Sequence, residues 1–351
     1  MYDYGVFIGR FQIPHHGHFY AIKEALTKCN TLIIGFGSAN IRRSLKNPFS
    51  VEQRASFIEN CGIPEITKAF MQGRIQYVGI EDSWYSDQWW VEHVQRQIKS
   101  KRLQLHVRNN GPLTTEPTIA LIAPRKDETS YYLDLFPQWE ELVIKPEKEY
   151  AATLCREAYY EYGPHNKIVE NLLYEYTTEG VINALKFIPS AVHRDLQDRW
   201  TFVREYKQQW GEGPFYTADP LVIKAGHILL VKRGGQPDIG SWAMPGGFLN
   251  KGEDPLDAAV RECKEETGLV IRPMDYLYPS DYRLFGDKGR DERGDIRSHV
   301  YLFQLTEGGP LPEVKGDDDA AHAEWVPLVD LRADNMFADH YFCIRKLTAG
   351  L

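Results

Sequence analysis

Glu253, Arg261, Glu262, Glu265 and Glu266 crowd one short stretch, between a Gly246-Gly247 pair and Gly268. On a helix, Glu262, Glu265 and Glu266 stand at i, i+3 and i+4 and share one face. Carboxylates that close repel, and a hard divalent cation with oxygen ligands resolves the repulsion. Arg261 precedes Glu265 by one helical turn and can hold that carboxylate in place. Asp254-Pro255 predicts an N-cap and first helical residue, and Gly268 predicts the stop. Leu256, Ala259, Val260 and Cys263 fall at helical spacing and face a core. Gly246 and Gly247 form a tight loop ahead of the helix, with Glu253 at its mouth. Three glutamates alone would more simply be a solvated acidic face. The glycines, Arg261 and Glu253 in register weigh against that.

A second constellation stands near the start. An apolar run, Tyr4 to Ile8, predicts a buried strand. The loop Gly9-Arg10-Phe11-Gln12-Ile13-Pro14-His15-His16-Gly17-His18 follows, and helical periodicity resumes from Phe19. Strand, glycine-bearing loop and helix is where an α/β fold binds phosphates, because the helix N-terminus turns its free N–H groups into the crevice. His15 and His18 flank the helix start with Gly17 between them, and Arg10 sits just past the strand. Two histidines in a polar surface loop are the simpler alternative; their place directly after the first strand weighs against it.

Further strands are expected at Thr31–Gly37, Ile75–Gly79, Thr118–Ala123 and Leu142–Lys145, alternating with helices as in a parallel doubly wound sheet. Ser50 with Gln53 predicts a capping box. The aromatic-rich run from Asp82 to Trp90 could stack a ring or pack on the sheet. Residues 159–210 read as mostly helical, broken at Phe187-Ile188-Pro189-Ser190. Strands are then expected at Phe215–Asp219, Pro220–Lys232, His299–Leu305 and Ala323–Pro327. The domain division is 1–185, a helical linker 186–205, and 206–351.

From Gly247 to Leu269 the chain reads GFLNKGEDPLDAAVRECKEETGL, which is similar to the Nudix box, the magnesium-binding element of nucleoside-diphosphate hydrolases. His15-His16-Gly17-His18 resembles the HxGH motif of the nucleotidyltransferase superfamily. With Gly9-Arg10-Phe11-Gln12, Asn47-Pro48-Phe49-Ser50 and Thr153-x-x-Arg156, the first half resembles the archaeal-type nicotinamide mononucleotide (NMN) adenylyltransferases. The whole chain resembles the bacterial bifunctional NMN adenylyltransferase/Nudix hydrolases. Three places depart from that pattern: Ile13-Pro14 in the first loop, Ala123-Pro124 after the fourth strand, and Cys155 before Arg156. The segments Arg290–Asp295 and the run from Lys315, with Asp317, Asp318 and Asp319, resemble loops of ADP-ribose pyrophosphatases.

The resemblance implies an N-terminal Rossmann-like nucleotidyltransferase domain and a C-terminal Nudix α/β/α sandwich. It implies adenylyl transfer from ATP to NMN, with Arg10, His15, His18 and Arg156 catalytic. Gly9, Phe11, Gln12, Gly17, Ser38, Asn47, Trp90, Lys126 and Thr153 would line the substrates. It also implies hydrolysis of ADP-ribose, with Glu262, Glu265 and Glu266 catalytic and holding Mg²⁺ or Mn²⁺, and with Gly246, Gly247 and Arg261 at the substrate. The alternative is transfer to another phosphorylated acceptor, with a Nudix domain that senses an ADP-ribose-type ligand. Retention of all the box glutamates speaks for hydrolysis.

Composition fits these expectations. At 351 residues, 43% hydrophobic and 26% charged, the chain has room for about two globular domains. A net charge of −8 opposes nonspecific nucleic-acid binding. Five cysteines without metal spacing predict reduced thiols and a cytoplasmic protein. Neither a signal peptide nor an apolar run of about 18 residues is evident, so no membrane partner is expected. Homo-oligomerisation is left open.

Overall fold

The computed structural model describes all residues except 109–115, 125–127, 146–147, 149, 273–280, 307, 317–319 and 350–351. The chain divides into two compact units, Met1–Gln197 and Asp198–Leu351.

The first unit carries a five-stranded parallel sheet. Its strands are β1 (Tyr2–Gly9), β2 (Cys29–Phe36), β3 (Ile75–Gly79), β4 (Ile119–Ala123) and β5 (Glu140–Val143), in the order β3-β2-β1-β4-β5. The helices α1 (His16–Lys28), α2 (Val51–Glu59), α3 (Pro64–Met71) and α4 (Asp87–Arg108) fall between the strands. The order reverses at β1, so the crevice beyond its carboxyl end is where such a sheet takes ligands. Buried Val6, Ile8, Ile33 and Leu121 form one core with Val94 and Ile98 of α4. Each such side chain contributes roughly 1.5–3 kcal/mol on burial. Ser50 and Gln53 make the expected capping box at the start of α2. Helices α5 (Ala152–Tyr162), α6 (Lys167–Tyr176) and α7 (Glu179–Lys186) follow β5, and α8 (Ser190–Trp210) leads on.

In the second unit, β6 (Phe215–Lys224), β7 (His227–Arg233), β10 (Asp281–Phe285), β11 (Ile296–Gln304) and β12 (Ala320–Pro327) are ordered β10-β11-β6-β7-β12. The two-residue strands β8 (Trp242–Ala243) and β9 (Gly247–Phe248) pair with β7 and β6. Helix α9 (Pro255–Thr267) buries Ala258, Ala259 and Cys263 against Ala218, Val222 and Phe303. Helix α10 (His340–Leu347) ends the unit. The sequence predicts a break between Asp219 and Pro220, but β6 runs straight through. Pro220 pairs with Tyr301 of β11, while the pairing of β6 with β9 ends at Ala218 and its pairing with β7 begins at Ile223. The missing N–H therefore falls where only one side of β6 is paired. The true turn is at Ala225-Gly226, both at positive φ. All five cysteines are buried and free. None of the described helices is long and apolar enough to cross a membrane.

Candidate active sites

At the first site, β1 ends at Gly9 and the chain folds tightly before α1. A Cβ on Gly9 would come within 2.9 Å of the Phe11 ring. Phe11, at positive φ, is buried between Phe7 and Phe36 and lies 4.8 Å, centroid to centroid, from His18. It is a floor under the histidine. His15 caps α1, and its backbone N–H donates to His18 Nδ1 at 3.1 Å. The two rings stack at 3.7 Å. Gly17 leaves room for this, because a Cβ there would meet the His15 ring at 3.2 Å and Tyr150 at 3.3 Å. The His18 imidazole is thus oriented through Nδ1.

Arg156 Nη1 donates to the Gln12 carbonyl at 3.2 Å, and Nη2 to Thr153 Oγ1 at 3.1 Å. This brings Thr153 and Arg156 to the same loop. The Arg10 guanidinium is held below its ordinary pKa by burial and then by the charge of Arg156; Asp82 opposes the shift. Two neighbouring guanidiniums beside a helix N-terminus make a place for a polyanion.

Some expected ligand-facing residues are engaged with the chain itself. Gln12 is 3% exposed, and its amide clamps both the N–H and the C=O of Phe49. Ser38 donates from its backbone N–H and its Oγ to Asp82. Both were expected at the substrate; in the structure their side chains bond to Phe49 and Asp82. Asn47 Oδ1 is buried and has no hydrogen-bond partner among the described residues. Trp90 lines a cavity of about 240 Å³ with Asp82, Trp84, Asp87, Tyr131 and Tyr132. Lys126 lies outside the described residues.

Sequence reasoning missed Arg54. It is 1% exposed, and its Nη1 donates to the carbonyls of Arg10 and Gly37 at 2.8 and 2.7 Å. Burial pushes its pKa down to about 10. It ties together the ends of β1 and β2, where the crevice opens.

At the second site, Asp254 caps α9 by accepting from Leu256 N–H at 2.9 Å, and Gly268 ends it at φ 71°. Arg261 does more than hold Glu265. It donates to Glu253 at 2.7 and 2.9 Å, and to Glu262 and Glu265 at 2.7 Å each. These bonds hold the Glu253 carboxyl down at about 2. Glu266 turns the other way and accepts from Gly246 N–H at 3.0 Å. Its pKa is pushed up to about 8, by burial first and then by the charges of Glu262 and Asp219. Glu262 is raised too, mainly by burial, with Arg261 opposing.

Among the described residues no three His, Cys, Asp or Glu side chains converge as a metal cage. The reason is local: Arg261 draws Glu262 and Glu265 to itself, while Gly246 holds Glu266. The donor chemistry nonetheless suits a hard dication, because these are carboxylate oxygens and the buried Glu266 has too little positive charge near it.

Asp219 was not foreseen. It is fully buried on β6, accepts from Ser298 Oγ, and burial pushes its pKa up to about 6. A Cβ on Gly246, which sits at φ 154°, would fall 2.0 Å from Asp219 Oδ1 and 2.8 Å from the Ala218 carbonyl. A Cβ on Gly247 would fall 2.5 Å from Glu262. Gly246→Ala should therefore cost about 1–3 kcal/mol of backbone strain, besides the clash. It should displace the N–H that holds Glu266. Thermal unfolding with a parallel hydrolysis assay checks this; an unchanged melting curve would contradict it.

Beside these acids a cavity of about 230 Å³ is lined by Arg233, Gln236, Phe248, Arg290, Arg293 and Phe337, among others. The Arg290–Asp295 segment lies here. Arg290 forks onto Asp339 at 2.7 and 2.9 Å, and Asp291 grips Arg293. His340 Nδ1 accepts from Met244 N–H, and burial drives its pKa down to about 3, so it stays neutral. Asp317, Asp318 and Asp319 lie outside the described residues.

A doubly wound sheet with a histidine pair at the end of its first strand, and a glycine-framed acidic helix beside an arginine-lined cavity, define a nucleotidyltransferase joined to a Nudix-type unit. Residues 6–150 match the cytidylyltransferase-like family model, and residues 217–347 match the NUDIX domain model. The nicotinamide/nicotinic acid mononucleotide adenylyltransferase of Acinetobacter baylyi is 38% identical over 202 residues, covering 57% of this chain and 94% of that protein. A bifunctional NMN adenylyltransferase/ADP ribose pyrophosphatase from Francisella tularensis is 31% identical, with a TM-score of 0.83 over 100% of this chain and 99% of the other. A second structure from that organism, complexed with AMP and a Mn ion, is 30% identical, with a TM-score of 0.81 over 99% of each chain. The chain belongs to the family of bifunctional NMN adenylyltransferase/ADP-ribose pyrophosphatases.

Proposed function

We propose that the first unit transfers the adenylyl group of ATP to NMN, giving NAD and pyrophosphate. The second hydrolyses ADP-ribose to AMP and ribose 5-phosphate. The single observation that carries this is likeness along the whole chain to a protein named for both activities. The sites supply the chemistry independently.

In the first reaction the NMN phosphate attacks the α-phosphorus of ATP, and the bond to the leaving pyrophosphate breaks. A phosphate dianion needs no general base, so the site must position the reactants and neutralise charge. Arg10, Arg156 and the start of α1 face the phosphates. His18, set by His15 through Nδ1, holds the leaving pyrophosphate. Trp90 and its aromatic neighbours take a ring. Lys126, Asn47 and Thr153 complete the set, with Gly9, Phe11, Gln12, Gly17 and Ser38 shaping it.

In the second reaction Glu262, Glu265 and Glu266 would hold Mg²⁺, with Mn²⁺ as substitute; bound there, it supplies charge neutralisation and an activated water. Arg261 keeps Glu253, Glu262 and Glu265 oriented. Gly246 and Gly247 let the substrate-facing backbone approach the acids. The first activity is assigned to residues 1–185 and the second to 206–351, with 186–205 as a helical linker.

The test is direct. The purified chain is incubated with ATP, NMN and Mg²⁺, and separately with ADP-ribose and Mg²⁺. NAD and pyrophosphate should appear in equal amounts in the first, and AMP in the second. ATP left intact would mean another acceptor, and nicotinate mononucleotide is the first to try.

A further inference from the structure

We propose that Arg199, on α8, is a positioning residue for ADP-ribose binding: its guanidinium ties together the two loops that line the C-terminal cavity. This rests on the assignment of that unit as an ADP-ribose hydrolase. Arg199 Nη1 and Nη2 fork onto both oxygens of Asp238 at 2.6 and 2.8 Å, and Nε donates to Glu292. Asp238 belongs to the 234–241 loop and Glu292 to the 290–294 loop. Gly234, Gly235 and Gln236 of the first loop line the cavity, as do Arg290, Asp291 and Arg293 of the second.

Arg199 and Asp238 are each 8% exposed. Asp238 is held at φ 67°, a conformation side-chain-bearing residues seldom adopt. Its carbonyl accepts from both the N–H and the Oγ of Ser241. Without the guanidinium, the fork on Asp238 and the bond to Glu292 are lost, and with them this bridge between the two loops. The base of the second loop is secured separately, by Arg290 on Asp339. Loss of Arg199 therefore frees a loop rim and leaves the cavity floor in place. Helix α8 touches that loop again where Arg293 lies 5.8 Å over the Tyr206 ring. Arg199 precedes the region that matches the NUDIX model, and the sequence places it in a linker. The structure places it in the C-terminal unit.

Full-length wild type and Arg199→Met are compared in steady-state ADP-ribose hydrolysis, with NAD synthesis by the same preparations as an internal control. KM for ADP-ribose should rise about tenfold or more, as loosened substrate contacts predict. The kcat should stay within about threefold, since the glutamates are untouched. NAD synthesis should be unchanged. Arg199→Lys keeps the charge without the fork and should recover only part of the loss; it carries the test if Arg199→Met does not fold. An unchanged KM in the folded variant, or a fall in kcat alone, would overturn the proposal. A wild-type chain inert toward ADP-ribose would instead overturn the functional assignment.

Discussion

Glu266→Gln should lower ADP-ribose hydrolysis by about 10²–10³-fold or more and leave NAD synthesis at the wild-type rate. Glutamine keeps the size and can still accept from Gly246 N–H, so the loop ahead of α9 should hold. It removes the anionic oxygens on the most buried of the three glutamates. A titration signature accompanies the kinetic one. With chelator present, the Glu266 carboxyl is raised from an ordinary value near 4.5 to about 8. A raised folded pKa contributes stability that is complete below the unfolded value and is lost as pH rises through the folded one. Metal-free wild type should therefore lose melting temperature relative to Glu266→Gln between about pH 5 and about pH 8.5. A constant difference would mean that Glu266 is not strained by its surroundings. Loss of both enzymatic activities in a folded variant would refute the independence of the two sites.

The acidic helix was legible because its signals are local. Asp254-Pro255 starts α9, Gly268 stops it, and the apolar positions fall at helical spacing. Each of these acts within a few residues. The first sheet was legible for a similar reason: apolar runs ending in glycine mark β1, β2 and β3.

What stayed hidden is pairing across distance. Arg199 meets residues 39 and 93 positions away, and Arg290 meets Asp339 at a separation of 49. Arg54 looks like any polar residue on a helix until its guanidinium is seen between two strand ends. Asp219 sits in an apolar strand followed by proline, which reads as a break. A buried aspartate under a glycine was the available clue: the strained Gly246 makes room for it. Gln12 shows the converse. Its place beside a catalytic motif is local, whereas the bonds that hold both ends of its amide come from Phe49, 37 positions away.

His18→Ala should reduce kcat for NAD synthesis by about 10²–10³-fold, the usual scale for removing one preorganised donor to developing charge, with ADP-ribose hydrolysis unaffected. The alanine variant alone is ambiguous, because His18 does two things. Its Nδ1 accepts from His15 N–H at the start of α1, and losing such a cap costs about 1 kcal/mol. Its Nε2 is the group assigned to the phosphates. His18→Asn separates these roles. Asparagine offers an oxygen to the His15 N–H but has no donor that reaches as far as Nε2. If the Nε2–H donor matters, His18→Asn should restore the melting temperature lost in His18→Ala without restoring kcat. If His18 merely shapes the helix start, both should recover together.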